Sequence, residues 1–344
     1  MKRWMVISLL IALVFAVGLI EMVTAGTPEV GKSMPSSFPQ ASEDSWDSGW
    51  VPIGPDITEV FTHSLGGDPG IYGVALWFLD TGLPVNFGIN GRAFGGMEDN
   101  GNYYGAYWHN LTDESVQVTR HAADTFVDFM RIRVWIPDPP DWDSGWQEID
   151  PGLLNMLTLD HPLGGDVDDY VVGIRFRDIP DEPQQEGLGI HLRGIGGVED
   201  GNNFFGAAYR DLTDSSIRVL RYGNDAIVDE VRVFINLPDP PDFDSDWQTI
   251  DAGTTEVISH TLGGNVNTYL VNVSARSEQH GVNSIAGGGL ETAGTYLGSY
   301  WANLTNQAID VTRYADDVSA EEVRVRIWKP KFIFLPLIDF EHSP

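Results

Sequence analysis

The sequence predicts an all-β protein built of three tandem antiparallel β-sandwich domains, about 95 residues each, joined by short proline-rich linkers. Three observations predict it. The chain repeats itself: residues 88–135, 189–236 and 281–328 align without a gap, and such periodicity decides architecture before any single motif does. Within each repeat, runs such as Ser216-Ile217-Arg218-Val219-Leu220-Arg221 and Val323-Arg324-Val325-Arg326-Ile327-Trp328 largely alternate apolar with polar residues, which buries one face of a strand and wets the other. Glycine-rich turns separate these runs, and nothing across 45–330 sustains a helical period over three turns.

Taken in order, residues 1–25 read as a signal peptide. Met1-Lys2-Arg3 is a basic start, Trp4 through Ile20 is apolar except for Ser8 and Gly18, and Val23-Thr24-Ala25 offers small residues for cleavage. An uncleaved anchor is the rival reading, because the apolar run is at the short edge of a membrane span. Residues 26–44, rich in Ser, Pro, Gly and Glu, form a flexible leader. The repeats then occupy 45–138, 141–239 and 242–330. The joints Pro137-Asp138-Pro139-Pro140 and Pro238-Asp239-Pro240-Pro241 are stiffened by proline and should hold neighbours at a reproducible angle. A tail, 331–344, carries Phe332-Ile333-Phe334-Leu335-Pro336-Leu337-Ile338, too short and proline-broken to span a membrane.

Lys plus Arg is 20 against 50 Asp plus Glu, a net charge of −30. Such a field repels nucleic acid and anionic lipid, so neither is an expected partner, nor is an integral membrane protein. Cysteine is absent, which excludes disulfides, thiolate metal sites and cysteine nucleophiles, and fits export from a bacterial cell. With 42% hydrophobic and 11% aromatic residues the chain is too apolar to be disordered despite its acidity.

No nucleophile elbow, zinc-protease motif or phosphate loop is present, and threefold repetition weighs against the single asymmetric site of an enzyme. Asp242-Phe243-Asp244-Ser245-Asp246 spaces carboxylates like a calcium loop, but the other copies lose ligands (Ser45, Gly145), so neither metal nor cofactor is expected. His63, His161 and His260 each precede a Leu-Gly-Gly turn and read as structural, bonding that turn's backbone. Arg120/Asp124/Asp128/Arg131 recurs as Arg221/Asp225/Asp229/Arg232 and Arg313/Asp317/Glu321/Arg324, which reads as ion pairs clamping a hairpin. The string Asp-Trp-Asp-Ser-Gly-Trp at 141–146, nearly repeated at 45–50 and 242–247, marks where each repeat begins. Its second Trp (50, 146, 247) reads as a core anchor.

The candidate site is the Gly-Gly-x-Glu loop. Glu98, Glu199 and Glu291 each precede aromatics: Tyr103-Tyr104, Phe204-Phe205 and Tyr296. A carboxylate beside aromatic rings suits a sugar, accepting from hydroxyls while a ring covers the C–H face. A plain loop acid beside a core strand is an equal reading. Trp108, Tyr209 and Trp301 are sugar platforms on the first reading and core strand aromatics on the second, which is the default.

The order Ser-Gly-Trp, a strand and turn, a Val-rich strand, Tyr107-Trp108-His109-Asn110 and a closing strand ending at Trp135 resembles the H-type lectin domain. That resemblance implies six-stranded β-sandwiches that bind galactose-type sugars, commonly as trimers, with a Trp-His pair in the sugar site that Trp108-His109 matches. The second and third repeats depart from it, with Tyr209-Arg210 and Trp301-Ala302, and the Gly-Gly-x-Glu loop is no part of the family pattern. The expected function is an exported, non-catalytic glycan-binding or adhesion protein using three modules for avidity. The alternative is a structural surface or spacer protein with no small ligand.

Overall fold

The computed structural model describes residues 44–329 except 83–85, 100, 153–154, 180–186, 201–202, 286 and 293–294. The expected signal peptide, the leader up to residue 43 and the tail lie outside the described residues. Those residues are all-β, with three single turns of 3-10 helix.

Each repeat supplies the same three pieces, all paired antiparallel. In the first, the strands run Ser45–Asp47, Phe129–Trp135, Gly73–Asp80, Gly88–Asn90 across one sheet, with Val51–Pro52 also on Phe129–Trp135. A second sheet runs Thr58–Thr62, Ser115–Arg120, Ala106–His109, and Met97–Asp99 pairs with Asn102–Tyr104 as a hairpin. The second repeat has Trp142–Glu148, Glu230–Asn236, Val171–Asp178, Gly189–His191, then Leu157–Asp160, Ser216–Arg221, Ala207–Arg210, and the hairpin Val198–Asp200/Asn203–Phe205. The third repeats this with Phe243–Asp244, Glu322–Trp328, Leu270–Ser277, Gly281–Asn283, then Thr255–Ser259, Ala308–Arg313, Ser299–Ala302, and Leu290–Thr292/Thr295–Leu297. The expected alternation holds: along Ser115–Arg120 every second residue is buried. Phe78, Ile132 and Val134 of the larger sheet and Val116, Val118 and Trp108 of the smaller one belong to one buried cluster, so the pair is sandwich-like.

All described residues belong to one compact unit. The small-sheet edge strand of each repeat runs beside the edge strand Gly88–Asn90, or its equivalent, of a neighbour. Asn110 N donates to Leu188 O at 2.8 Å and Leu192 N to Trp108 O at 3.2 Å. Asp211 N donates to His280 O at 2.9 Å and Ser284 N to Tyr209 O at 3.0 Å. Asn303 N donates to Phe87 O at 2.9 Å and Gly91 N to Trp301 O at 3.1 Å, which joins the third repeat to the first and closes a ring. Main-chain pairing, rather than proline stiffness alone, therefore fixes the angle between neighbours, and each repeat covers an edge that would otherwise be open.

The repeat-opening string is a lock. Arg131 forks onto Asp47 (2.9 and 2.6 Å), Arg232 onto Asp143 (2.9 and 2.5 Å) and Arg324 onto Asp244 (2.9 and 2.6 Å). The following serine hydroxyl accepts from the closing strand at Ile132, Val233 or Val325. The next residue is left-handed in every copy, Gly49, Gly145 or Asp246 at φ 63, 61 and 53°, a region that Asp tolerates better than most residues. The third copy's extra acid thus occupies the turn position that glycine holds in the other two. The second Trp is not the expected core anchor, being half-buried in all three copies. Trp146 lies under Arg177 at 4.5 Å, Trp247 under Arg276 at 4.3 Å, and Trp50 Nε1 donates to Asn267.

The turn histidines are structural, but by packing. Neither ring nitrogen of His63, His161 or His260 has a hydrogen-bond partner. Each ring sits between the string's first aromatic and a tyrosine: His161 is 5.5 Å from Trp142 and 5.7 Å from Tyr170. The tyrosine, not the histidine, holds the Leu-Gly-Gly turn, with the Tyr170 hydroxyl donating to Gly164 O at 2.5 Å and Tyr269 to Gly263 O at 2.6 Å. Burial pushes all three imidazoles below their ordinary pKa, and for His63 and His161 nearby carboxylates offset only part of that.

The arginine–acid series splits in two. Arg120–Asp124, Arg221–Asp225 and Arg313–Asp317 are buried ion pairs, at 2.7, 2.9 and 3.1 Å. Their acids also accept from the main chain of Gly105, Gly206 and Gly298. The later arginines (131, 232, 324) instead reach the opening string.

Candidate functional site: the seams and the axial chamber

The three Gly-Gly-x-Glu hairpins converge: the strands Met97–Asp99, Val198–Asp200 and Leu290–Thr292 contact one another pairwise. Glu98, Glu199 and Glu291 therefore lie on one shared cluster of strands rather than at three separated sites. Glu98 is 1% exposed, and its Oε1 accepts from Gly101 N, closing its own hairpin turn. The side chains of Glu199 and Glu291 lie outside the described residues.

The other candidates sit on the seam strands. Trp108 is 0% exposed, with Arg175 of the next repeat 5.3 Å from its ring. His109 is buried, its Nε2 sharing a hydrogen bond with Thr119 Oγ1 at 2.8 Å. Burial, aided by Arg193 of the second repeat, draws the His109 pKa down to about 4. The Trp108-His109 pair is thus enclosed where two repeats meet and offers no open platform. Tyr209 is buried at the seam with the third repeat, its hydroxyl pushed up to about 12 by burial. Trp301 is half-buried against the first repeat, edge-on to Trp77 at 6.2 Å. Gly91 lets it approach: a Cβ there would lie 2.5 Å from Trp301 Nε1.

One aligned position, residue 92, 193 or 285, enters each neighbour's aromatic pocket. Arg92 lies 5.2 Å from the Tyr300 ring of the third repeat and 4.1 Å from Phe126 of its own, and Arg193 lies 5.4 Å from Tyr107 of the first. At the remaining seam Ile285 packs with Ala208 and Tyr222. The seam between the first two repeats gathers three histidines, His109 and His191 buried and His121 half-buried. Burial draws His121 and His191 each down to about 3, with Arg193 reinforcing both shifts.

The larger sheets border a chamber of about 990 Å³, partly open to solvent, to which all three repeats contribute. Its wall brings together Trp77, Trp135, Tyr209, Phe234, Trp301 and Trp328, the amides of Asn236, Asn272 and Asn283, and Arg175. The linkers Pro137–Asp138–Pro139 and Pro238–Asp239–Pro240 border it. Gly73 and Gly173 make room for two of the rings, since a Cβ at either would lie 2.0 Å from Trp135 or Phe234. Two of the seven candidate residues, Tyr209 and Trp301, are brought together here. Trp77, Phe234 and Arg175 escaped sequence reasoning because the three lie on different strands with no shared motif, while Trp135 and Trp328 were visible only as the aligned ends of the closing strands.

Fold and site together define an all-β protein of sandwich-like modules around an aromatic chamber. No protein-family model, curated protein or solved structure matches the chain. Among the described residues no group of three or more His, Cys, Asp or Glu is placed to hold a metal ion, and no helix is long and apolar enough to cross a membrane.

Proposed function

We propose that this is an exported, non-catalytic glycan-binding protein whose three repeats act as one body, as in adhesion at a cell surface. The observation that carries the reading is the chamber, whose wall places the half-buried Trp135, Trp301 and Trp328 beside the amides of Asn236 and Asn272. Rings of this kind cover the C–H faces of a sugar while amides exchange hydrogen bonds with its hydroxyls. A concave site with many rings and a few polar groups is the usual form of a small-ligand pocket. The resemblance to H-type lectins supports the same class, since three copies joined in one chain take the place of a trimer. Further sites on equivalent outer surfaces of the ring would add avidity.

Titrating intrinsic tryptophan fluorescence with galactose- and glucose-type mono- and oligosaccharides tests the proposal. Saturable quenching is expected, weakened in Trp301→Ala. No response to any sugar, together with an empty glycan array, would sink it. The second reading, a spacer or coat protein without a small ligand, is favoured by the enclosure of Glu98 and Trp108, and the same titration separates the two.

A further inference from the structure

Arg175 is an exception in this acidic chain. It is 5% exposed and lines the chamber. A guanidinium carries five N–H donors, yet Arg175 makes two hydrogen bonds, from Nη1 to Ile174 O at 2.8 Å and from Nη2 to Tyr72 O at 2.7 Å. Its Nε is sealed and has no partner.

The corresponding arginines of the other seams are better provided. Arg133 has the Asp47 carboxylate at 2.9 Å as well as Tyr269 O. Arg326, whose Nε is sealed in the same way, gathers the carbonyls of Asp168 and Tyr170 with Asn272 and Ser274. Arg175 has two main-chain carbonyls and the rings of Trp108 and Phe234, at 5.3 and 5.2 Å, but no carboxylate beside it, and burial draws its pKa down to about 10. A buried cation without a counter-charge is costly, and an anion brought beside it relieves that cost.

Resting on the glycan reading above, we propose that the chamber selects an acidic glycan, a chain ending in a uronic acid whose planar carboxylate takes the second N–H of Nη1 and of Nη2 of Arg175, the Nε being sealed. A carboxylate fits the guanidinium fork as no hydroxyl does. One terminal acid is specified rather than a polyanion. The exposed Asp138, Asp141, Asp239 and Asp242 border the chamber, and the chain's −30 charge repels a highly charged polymer.

The test uses the full chain and matched probes: galactose- and glucose-type disaccharides, their counterparts oxidised to the terminal uronate, and a polygalacturonate. Calorimetry at physiological salt should show a uronate at least tenfold tighter than its neutral counterpart, with the polymer weaker per chain end. In Arg175→Met, which keeps the side-chain volume without the charge, the uronate-to-neutral ratio should collapse towards one, with Arg175→Lys intermediate. Neutral sugars binding as tightly as uronates to the wild-type protein would overturn the inference and leave the glycan reading standing. Binding of neither would remove both. The wild-type ratio decides even if Arg175→Met does not fold.

Discussion

Arg326 and Tyr170 meet across the seam between the third and second repeats, where Nη2 of the arginine donates to the tyrosine carbonyl at 2.8 Å. Arg133 does the same for Tyr269 and Arg175 for Tyr72. Arg133 and Arg326 are on the closing strand, where the second repeat has Phe234; its arginine has moved to the adjacent long strand, at the position of Trp77 and Ser274. First and second repeats thus exchange ring and charge between neighbouring strands while keeping the seam contact.

This exchange predicts a compensating pair. Arg175→Trp alone should cost roughly 1.5–3 kcal/mol, the scale of a lost hydrogen bond to a charged group. Adding Phe234→Arg, which copies the first repeat into the second, should recover most of it. A double-mutant cycle by urea denaturation measures the coupling, and strict additivity would refute the exchange.

The buried ion pairs should be the most sensitive charges. In the pair Arg221–Asp225 the acid's side chain is 0% exposed, and Asp225 also accepts from Gly206 N and Val228 N. Asp225→Ala leaves a buried guanidinium and main-chain donors unpaired, with an expected loss of about 3–5 kcal/mol. A midpoint shift no larger than that of an exposed pair would contradict the burial.

Acid should weaken the first seam. His191 is 0% exposed and its pKa falls from 6.5 to about 3. A depressed histidine pKa means the unfolded chain takes protons first. The stability contribution is complete above about pH 6.5 and declines below it, by at most ~1.4 kcal/mol per pH unit for each such group, until the folded pKa is reached. His191→Asn should flatten this slope without loss at neutral pH. Asn283 already occupies the aligned position and donates to Ser319 O at 3.0 Å, as His191 Nε2 meets Ile227 O at 2.8 Å. Denaturation at several pH values checks it, and an unchanged slope would count against the assignment.

An isolated second repeat, 141–239, should not behave as a monomer. It would expose the edges Gly189–His191 and Ala207–Arg210, which pair with neighbours in the ring, and open edges recruit other strands. Light scattering on the fragment should show self-association or failure to fold; a stable monomer would mean the seams contribute little.

Much of the fold was legible because it is local. Strand periodicity, the Leu-Gly-Gly turns and the opening string are all visible along the chain. The candidate site was less so. An acid followed by aromatics reads alike whether its side chain faces solvent, as a sugar site would, or is buried closing its own hairpin turn, as Glu98 is. Likewise Trp50, Trp146 and Trp247 recur as a core residue would, yet two of them recur to carry an arginine from another strand.

By itself the sequence determined three copies of one β module, where each begins, and which residues turn the chain. Tertiary structure decided that the modules close on themselves, that Trp108 and His109 are enclosed, and that Tyr209, Trp301 and Arg175 share one chamber. The physical reason is that the seams are joined by main-chain N–H and C=O groups, which every residue but proline carries in full. Their pairing leaves no signature in side-chain identity until the edges are seen to meet.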